Sequence, residues 1–152
     1  MENGKTVDVL NKLITINNDR IEGYETASKE TEEQDLKTLF AKFTSTSQKC
    51  KRELTNEVKL LGGKETHSTM TSGKFFRVWM DVKAALSGKD RKVILDSCEY
   101  GEDAAKKTYE DVLDDDLEDL TADQQKMVRN QHSLLKADHD EVKLMRDSLV
   151  DA

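Results

Sequence analysis

Acidic and imidazole side chains occur at matching positions on the last two predicted helices. Glu99 and Glu102 lie three residues apart, and His132 and His139 lie seven apart. If the chain turns near Leu117, antiparallel pairing of the two helices places Glu102 level with His132 and Glu99 level with His139. Carboxylates and imidazoles are ligands for iron and manganese, so the spacing raises the question of a metal site.

The orientation of these side chains on their helices favours a simpler interpretation. At about 100° per residue, Glu102 lies about 80° from the centre of its apolar stripe, and Glu99 lies further out. His132 and His139 lie about 80–100° from the centre of theirs. Such edge positions predict interhelical ion pairs, which contribute about 0–1 kcal/mol each. The alternative is an irregular metal site formed by these four residues with Glu25.

The positions of the histidines argue against a standard di-iron centre. In ferritin-like bundles, two helices contribute one Glu each, and two others contribute a Glu-x-x-His motif. The residues three positions before His67, His132 and His139 are Lys64, Arg129 and Lys136, respectively. No cofactor is therefore expected, and iron or manganese held by the irregular ligand set is the alternative.

Four polar residues lie on the apolar stripes of the predicted helices: Asn17, Ser47, Gln131 and Asp138. Buried polar groups need partners, and in bundles they fix register and alignment, which is the role we predict. The alternative is a polar cavity that holds a small ligand. Asp138 is the sharpest case, because a buried carboxylate needs a cation, a hydrogen-bond donor or a proton.

Heptad spacing predicts four long helices and one short helix. The predicted ranges are about 7–29, 32–61, 90–113 and 121–149, with the short helix at about 74–86. The stripe of the first helix is Val7, Leu10, Ile14, Asn17, Ile21, Tyr24 and Ser28, and that of the third is Ile94, Ser97, Gly101, Ala105, Thr108 and Val112. Each stripe alternates steps of three and four residues, as a packed helix requires.

Local signals set the helix boundaries. Thr6 is a plausible N-cap for the first helix. Thr31 to Gln34 and Thr121 to Gln124 match the capping box, in which the first and last residues bond to each other's backbone. Gly62 and Gly63 end the second helix, because glycine adopts the left-handed conformation that follows a helix.

These elements predict an all-α fold with a single domain over residues 1–152. The first two helices and the last two are each joined by a short connection, so each pair forms an antiparallel hairpin. Residues 62–91 join the hairpins and carry a helix too short to cross the bundle. This is the plan of a ferritin-like four-helix bundle, two hairpins joined by a long crossover.

Several stretches of the chain resemble a known family. They are LNKLITINNDRIEGYETA, LGG, WMDVKAALSGKDRKVIL, CEYGEDAAKKTYED and LLKADHDEVKLMRD. Over about residues 6–148, the chain is similar to a bacterial family of ferritin-like four-helix-bundle domains of unknown function. It departs from the family at Lys107-Thr108-Tyr109, where alanine more often precedes the tyrosine. The resemblance implies a fold and a bacterial protein, and no activity for particular residues.

Composition limits the classes of function. The net charge of −7 disfavours nucleic acid and anionic membrane surfaces, which are polyanions. No apolar run approaches the ~20 residues that span a bilayer, and the N-terminus lacks a signal-peptide pattern. We therefore expect an acidic, cytoplasmic protein without nucleic-acid or membrane partners.

Aromatic residues on the short predicted helix offer a surface for association. Phe75 and Phe76 are adjacent, so they cannot both face the core. The chain also lacks Gly-rich phosphate loops and nucleophile motifs. We therefore predict a non-catalytic protein that acts as a homo-oligomer or through a protein partner at the Phe75/Phe76 region. The alternative is a ferritin-like protein that binds iron or manganese.

Overall fold

A computed structural model describes residues 2–67 and 91–150. Within these ranges the chain is helical and has no strand. The bundle consists of α1 (Glu2–Glu30), α2 (Gln34–Leu60), α3 (Arg91–Asp115) and α4 (Ala122–Val150), with a 3-10 turn (Leu117–Asp119) before α4. The predicted all-α four-helix bundle is confirmed. None of the described helices is long and apolar enough to cross a membrane. The predicted helix at 74–86 and the Phe75/Phe76 region lie outside the described residues.

The helices form two antiparallel hairpins, as predicted. Residues 31–33 join α1 to α2, and the Tyr24 ring stacks on Phe40 with 5.6 Å between ring centroids. α3 and α4 pair along a seam, where His132 Nε2 lies 3.0 Å from Glu110 Oε2. Each hairpin thus buries the facing stripes of its two helices.

The two hairpins are connected between opposite ends of the bundle. Arg91, the first residue of α3, places Nη2 2.5 Å from Asp35 Oδ2 near the start of α2. Because α2 has 27 residues, its far end lies about 40 Å away. α1 and α4 each pack beside both α2 and α3, so α2 and α3 are diagonal partners. A long crossover, rather than a tight turn, must therefore join them.

Two predicted helix boundaries are confirmed. The Gln124 N–H donates to Thr121 Oγ1 over 3.1 Å, and the Thr121 N–H donates to Gln124 Oε1 over 2.9 Å, which completes the capping box of α4. Gly62 has a φ of +78°, and the Gly63 N–H donates to the Val58 carbonyl over 2.9 Å. The left-handed Gly62 and the Gly63 bond together end α2, as predicted.

Two predicted caps are wrong. α1 begins before Thr6, so Thr6 lies inside the helix, and its hydroxyl donates to the Asp119 carbonyl. The N-cap of α2 is Glu33, and Thr31 Oγ1 accepts the Glu33 N–H over 3.2 Å. Thr6 is therefore no cap because the helix begins earlier, and the Thr31 hydroxyl accepts from Glu33 instead of from the first turn of α2.

A polar band divides the core into two apolar clusters. One cluster contains Val9, Leu10, Leu13, Ile14, Ile16, Leu54, Val58, Ala105, Tyr109, Val112, Leu120, Val128 and Leu135. The other contains Tyr24, Ala27, Leu36, Leu39, Phe40, Phe43, Ile94, Leu95, Cys98 and Val142. Between them along the helices lie the buried polar residues Asn17, Arg20, Ser47, Glu102 and Asp138, and buried Gln131 lies next to them, within the first cluster.

The buried stripes of α1 and α3 differ from the predicted ones. The buried heptad positions are Leu10, Leu13, Asn17, Arg20, Tyr24 and Ala27 on α1, and Leu95, Cys98, Glu102, Ala105, Tyr109 and Val112 on α3. Ile21, Ser97 and Thr108 are only partly buried. The predicted stripes are assigned from apolar and small residues, so they leave out Arg20 and Glu102. Each predicted stripe is therefore rotated around its helix relative to the buried one.

Candidate functional site

The polar band contains a buried arginine that forms ion pairs with α3 and α4 and a hydrogen bond with α2. Arg20 Nη2 on α1 lies 2.6 Å from Glu102 Oε1 on α3 and 3.1 Å from Asp138 Oδ2 on α4. Arg20 Nη1 donates to Ser47 Oγ on α2 over 2.5 Å. The Arg20 side chain is 1% exposed and that of Glu102 is 0% exposed. We call Arg20, Ser47, Glu102 and Asp138 the ion-pair layer.

One cation is shared by two carboxylates in the ion-pair layer. Burial raises the pKa of Asp138 to about 6, although Arg20 opposes this shift. Burial acts to lower the pKa of the Arg20 guanidinium, but Glu102 and Asp138 raise it overall, so Arg20 stays charged. The Tyr24 hydroxyl donates to Glu102 Oε1 over 2.5 Å. The layer therefore holds its own cation and donors between its carboxylates.

The position of Glu102 is a correction to the sequence-based expectation. The sequence predicts Glu102 at the edge of the interface, level with His132, but Glu102 lies in the core and pairs with Arg20 and Tyr24. His132 Nε2 instead lies 3.0 Å from Glu110 Oε2. The reason is the shifted phase of the α3 stripe. In this layer, the guanidinium occupies the place between carboxylates that a metal ion would need.

A second hydrogen-bonded layer, whose fully buried side chains are uncharged, lies beside the ion-pair layer. Asn17 Nδ2 donates to Tyr109 Oη over 2.8 Å, and Tyr109 Oη donates to Gln131 Oε1 over 2.7 Å. Gln131 Nε2 donates to the Cys50 carbonyl over 3.3 Å and to Glu53 Oε1 over 3.0 Å. The four residues singled out as polar core are all buried, and each has a partner in one of the two layers: Asn17, Ser47, Gln131 and Asp138.

A second group of ionisable side chains lies at the seam between α3 and α4. Glu99 and Asp103 stand one turn apart on α3, and His139 faces them from α4. His139 Nε2 lies 2.5 Å from Asp103 Oδ1 and 4.0 Å from Glu99 Oε1. One ligand atom of each residue lies within 4.8 Å of the other two. We call Glu99, Asp103 and His139 the seam cluster.

The seam cluster contains two of the five metal-ligand candidates from the sequence. Glu99 and His139 are level with each other, as expected. Glu102 belongs to the ion-pair layer, His132 pairs with Glu110, and Glu25 is exposed on α1. The structure therefore does not bring the five candidates together as one set.

The histidine of the seam cluster is oriented by a further carboxylate. His139 Nδ1 lies 3.1 Å from Asp140 Oδ1, and this contact is the main cause of the lowered pKa of Asp140. A ring that donates from Nδ1 directs the lone pair of Nε2 toward Glu99 and Asp103. Nε2 and Asp103 Oδ1 would then be two acceptors 2.5 Å apart. They repel unless a proton or a metal ion lies between them.

Arg146 of α4 lies at the rim of the seam cluster. Its Nη1 contacts Glu99 Oε2, its Nη2 lies 2.9 Å from Asp147 Oδ1, and its Nε lies 3.6 Å from Asp96 Oδ1. The Arg146 side chain is 26% exposed. The cluster thus has a cation beside it, but that cation is partly in water.

Neither cysteine has the environment of a nucleophile. Cys50 and Cys98 are both buried. Burial raises the pKa of Cys50 to about 11, and it also raises the pKa of Cys98. A reactive thiol needs a lowered pKa, so both cysteines serve as small core residues.

Sequence analysis did not single out Arg20, Asp103 or Arg146, although each carries a positional signal. Arg20 continues the buried heptad of α1. Asp103 lies one turn after Glu99 and therefore on the same face. Arg146 lies one heptad after His139, which repeats its position along the seam. Heptad position applied to charged residues would have found all three.

Comparison with known proteins identifies the family of the chain. No curated protein matches the sequence. A family model described as Domain of unknown function (DUF2383) matches residues 5–116. This range includes α3 and its share of both polar sites, and it ends before α4 begins. Because the match covers more than half of the 152 residues, the chain belongs to the DUF2383 family of domains of unknown function.

Proposed function

We propose that this domain binds a divalent transition-metal ion at the seam cluster, with Glu99, Asp103 and His139 as ligands. The observation that carries the proposal is the convergence of two carboxylates and one imidazole to within 4.8 Å of one another. The proposed set shares Glu99 and His139 with the irregular ligand set that the sequence offered as an alternative, but not Glu102, His132 or Glu25. Asp103 is the third ligand, in place of the predicted ligands Glu102 and His132.

The donor set indicates the class of ion. Carboxylates suit hard ions such as manganese, whereas imidazole suits zinc and iron. One imidazole with two carboxylates therefore favours zinc, iron(II) or manganese(II) over calcium or copper(I). Two carboxylates also balance the charge of one divalent ion.

The distances within the seam cluster need only side-chain adjustment to accept an ion. Metal–ligand distances of about 2.0–2.2 Å place neighbouring ligand atoms about 3 Å apart. His139 Nε2 must separate from Asp103 Oδ1, now at 2.5 Å, and approach Glu99 Oε1, now at 4.0 Å. The Asp103 side chain is 53% exposed, so its rotamer can change without disturbing the core.

A proton is the competitor for the same position. A histidine nitrogen binds a metal only when it is unprotonated. Metal affinity should therefore fall as the pH is lowered.

Metal titration of the purified protein tests the proposal. Calorimetry with Zn(II) and Mn(II), and with Fe(II) under anaerobic conditions, should give one ion per chain for at least one metal. His139→Ala and Asp103→Asn should each weaken binding by about 100-fold or more, since changes to outer-shell partners alone cost about 10–100-fold. Titrations at several pH values should show the affinity falling as the pH is lowered.

His132→Ala is the matched control. His132 lies one heptad before His139 on the same seam, and among the described residues its ion-pair partner is the Glu110 carboxylate alone. This variant should bind metal as tightly as the wild type. The proposal is wrong if the wild type binds none of the three metals, or if His132→Ala and His139→Ala weaken binding equally.

Other parts of the functional description rest on the sequence and stay predictions. They are the non-catalytic character, the cytoplasmic location, the bacterial origin and the ferritin-like relationship. Association through the Phe75/Phe76 region also stays a prediction, because these residues lie outside the described part of the chain. A non-catalytic bundle that binds metal at its seam is compatible with all of them.

A further inference from the structure

Arg146 and a metal ion at the seam cluster would require the same carboxylate. The Arg146 guanidinium contacts Glu99 Oε2, while Glu99 Oε1 faces His139 Nε2 at 4.0 Å. Glu99 is therefore held between a guanidinium on one side and the imidazole on the other. A dication bound by Glu99 would be repelled by the guanidinium and would weaken its hold on this carboxylate.

Arg146 has other carboxylates to which it can move. Its Nη2 lies 2.9 Å from Asp147 Oδ1, and its Nε lies 3.6 Å from Asp96 Oδ1. These acceptors are not part of the seam cluster. If Arg146 releases Glu99, its charge stays paired, and because its side chain is 26% exposed, water can complete its hydrogen bonds.

We propose that Arg146 is an internal competitor that occupies Glu99 in the metal-free protein and yields it when metal binds. The inference rests on the proposed metal site. Metal binding is then an exchange of cations at Glu99, in which the guanidinium moves to Asp96 and Asp147. Arg146 lowers the affinity for metal and keeps the metal-free seam neutralised, so the site fills only when the ion concentration is sufficient to displace it.

Charge-removing and charge-keeping variants of Arg146 test the exchange. Arg146→Gln should bind Zn(II) or Mn(II) about tenfold more tightly than the wild type, the size of effect expected for one charge at a partly exposed site. Arg146→Lys keeps the charge and should stay close to the wild type. Arg129→Gln makes the same charge change on the same helix, 17 residues before Arg146 and about 26 Å away along α4, and should leave the affinity unchanged.

A direct view of the guanidinium supplies a second readout. In the wild-type protein, the nitrogen resonance of the Arg146 Nε should shift when the diamagnetic Zn(II) is added, and it should not shift in His139→Ala. Tighter binding by Arg146→Gln with no change in Arg129→Gln supports the exchange. Equal binding by wild type and Arg146→Gln, or weaker binding by Arg146→Gln, overturns it while the metal site itself stands. Absence of binding by every variant and the wild type defeats the proposed function first.

Discussion

The ion-pair layer and the seam cluster have similar composition but different surroundings. The ion-pair layer holds Glu102 and Asp138 around Arg20. The seam cluster holds Glu99 and Asp103, and Arg146 contacts Glu99 from its rim. The Arg20 side chain is 1% exposed, whereas the Arg146 side chain is 26% exposed. A buried arginine cannot leave its carboxylates, because an unpaired buried charge costs several kcal/mol. A partly exposed one can be replaced by another cation. Burial thus separates the two sites: Arg20 is fixed between its carboxylates, whereas the proposed metal site lies beside an arginine that can leave.

Two aspartates of α4 show the same difference. Burial raises the pKa of Asp138 to about 6. The pKa of Asp140, two residues along the helix, is lowered, mainly by its hydrogen bond to His139 and by Lys136. Two residues that are about half a helical turn apart therefore have pKa shifts of opposite sign. In the core, desolvation outweighs the shared cation, and at the surface the donors act without that penalty.

The largest expected effect comes from removing the arginine at each site. Arg20→Met keeps an unbranched side chain of similar length but leaves Glu102 and Asp138 buried without a cation. We expect a loss of about 3–5 kcal/mol in the free energy of unfolding. Arg146→Met should lose about 0–1 kcal/mol, as expected for a partly exposed ion pair. Urea denaturation of the two variants and the wild type measures both values.

The outcome of this pair of variants can break the comparison. If Arg20→Met is no less stable than Arg146→Met, the ion-pair layer contributes little to stability, and its carboxylates are free to serve another purpose. Metal titration of Arg20→Met would then be the next step. We expect instead that Arg20→Met is less stable than Arg146→Met and that its seam cluster is unchanged.

The sequence predicted the fold well because the fold depends on apolar periodicity and local end signals. Heptad stripes, the Gly62 stop and the Thr121 capping box are all short-range patterns. The ion-pair layer was harder to predict because Arg20 and Glu102 are charged, and charged residues rarely occupy core positions without a partner. Their burial depends on each other across two helices, 82 residues apart in sequence. Such a pairing appears only when both stripes are assigned the correct phase together.

The second prediction uses pH to separate the sites. Because folding raises the pKa of Asp138 from its ordinary value of 3.8 to about 6, the folded state binds this proton more tightly than the unfolded state. The contribution of Asp138 to stability therefore falls as the pH rises from about 4 to about 6, by about 3 kcal/mol in total. Asp138→Asn should remove this dependence, so its stability relative to wild type should increase over that range.

Asp140→Asn is the control for the pH experiment. The pKa of Asp140 is lowered on folding, so its contribution is present at neutral pH and is lost as the pH falls below about 4. Asp140→Asn should change the free energy of unfolding differently only below about pH 4, where wild-type Asp140 becomes protonated. Denaturation midpoints at pH values from 3 to 8 measure both variants. A wild-type profile that Asp138→Asn leaves unchanged would mean that Asp138 does not titrate in this range.

The smallest expected effect separates charge from hydrogen bonding within the polar band. Tyr24 donates its hydroxyl to the Glu102 carboxylate over 2.5 Å, and Tyr109 donates to the neutral Gln131 Oε1 over 2.7 Å. Both rings are fully buried, so Tyr24→Phe and Tyr109→Phe delete the same atom in similar packing. Tyr24→Phe should cost about 1.5–3 kcal/mol for its bond to a charged group. Tyr109→Phe should cost about 0.5–1.5 kcal/mol for each of its two neutral bonds, to Gln131 and from Asn17. Equal costs in urea denaturation would show that the band is held by hydrogen bonding in general. A larger cost at Tyr24 would show that the charge of the Glu102 carboxylate strengthens its hydrogen bonds. This is expected if Glu102 is ionised and paired with Arg20.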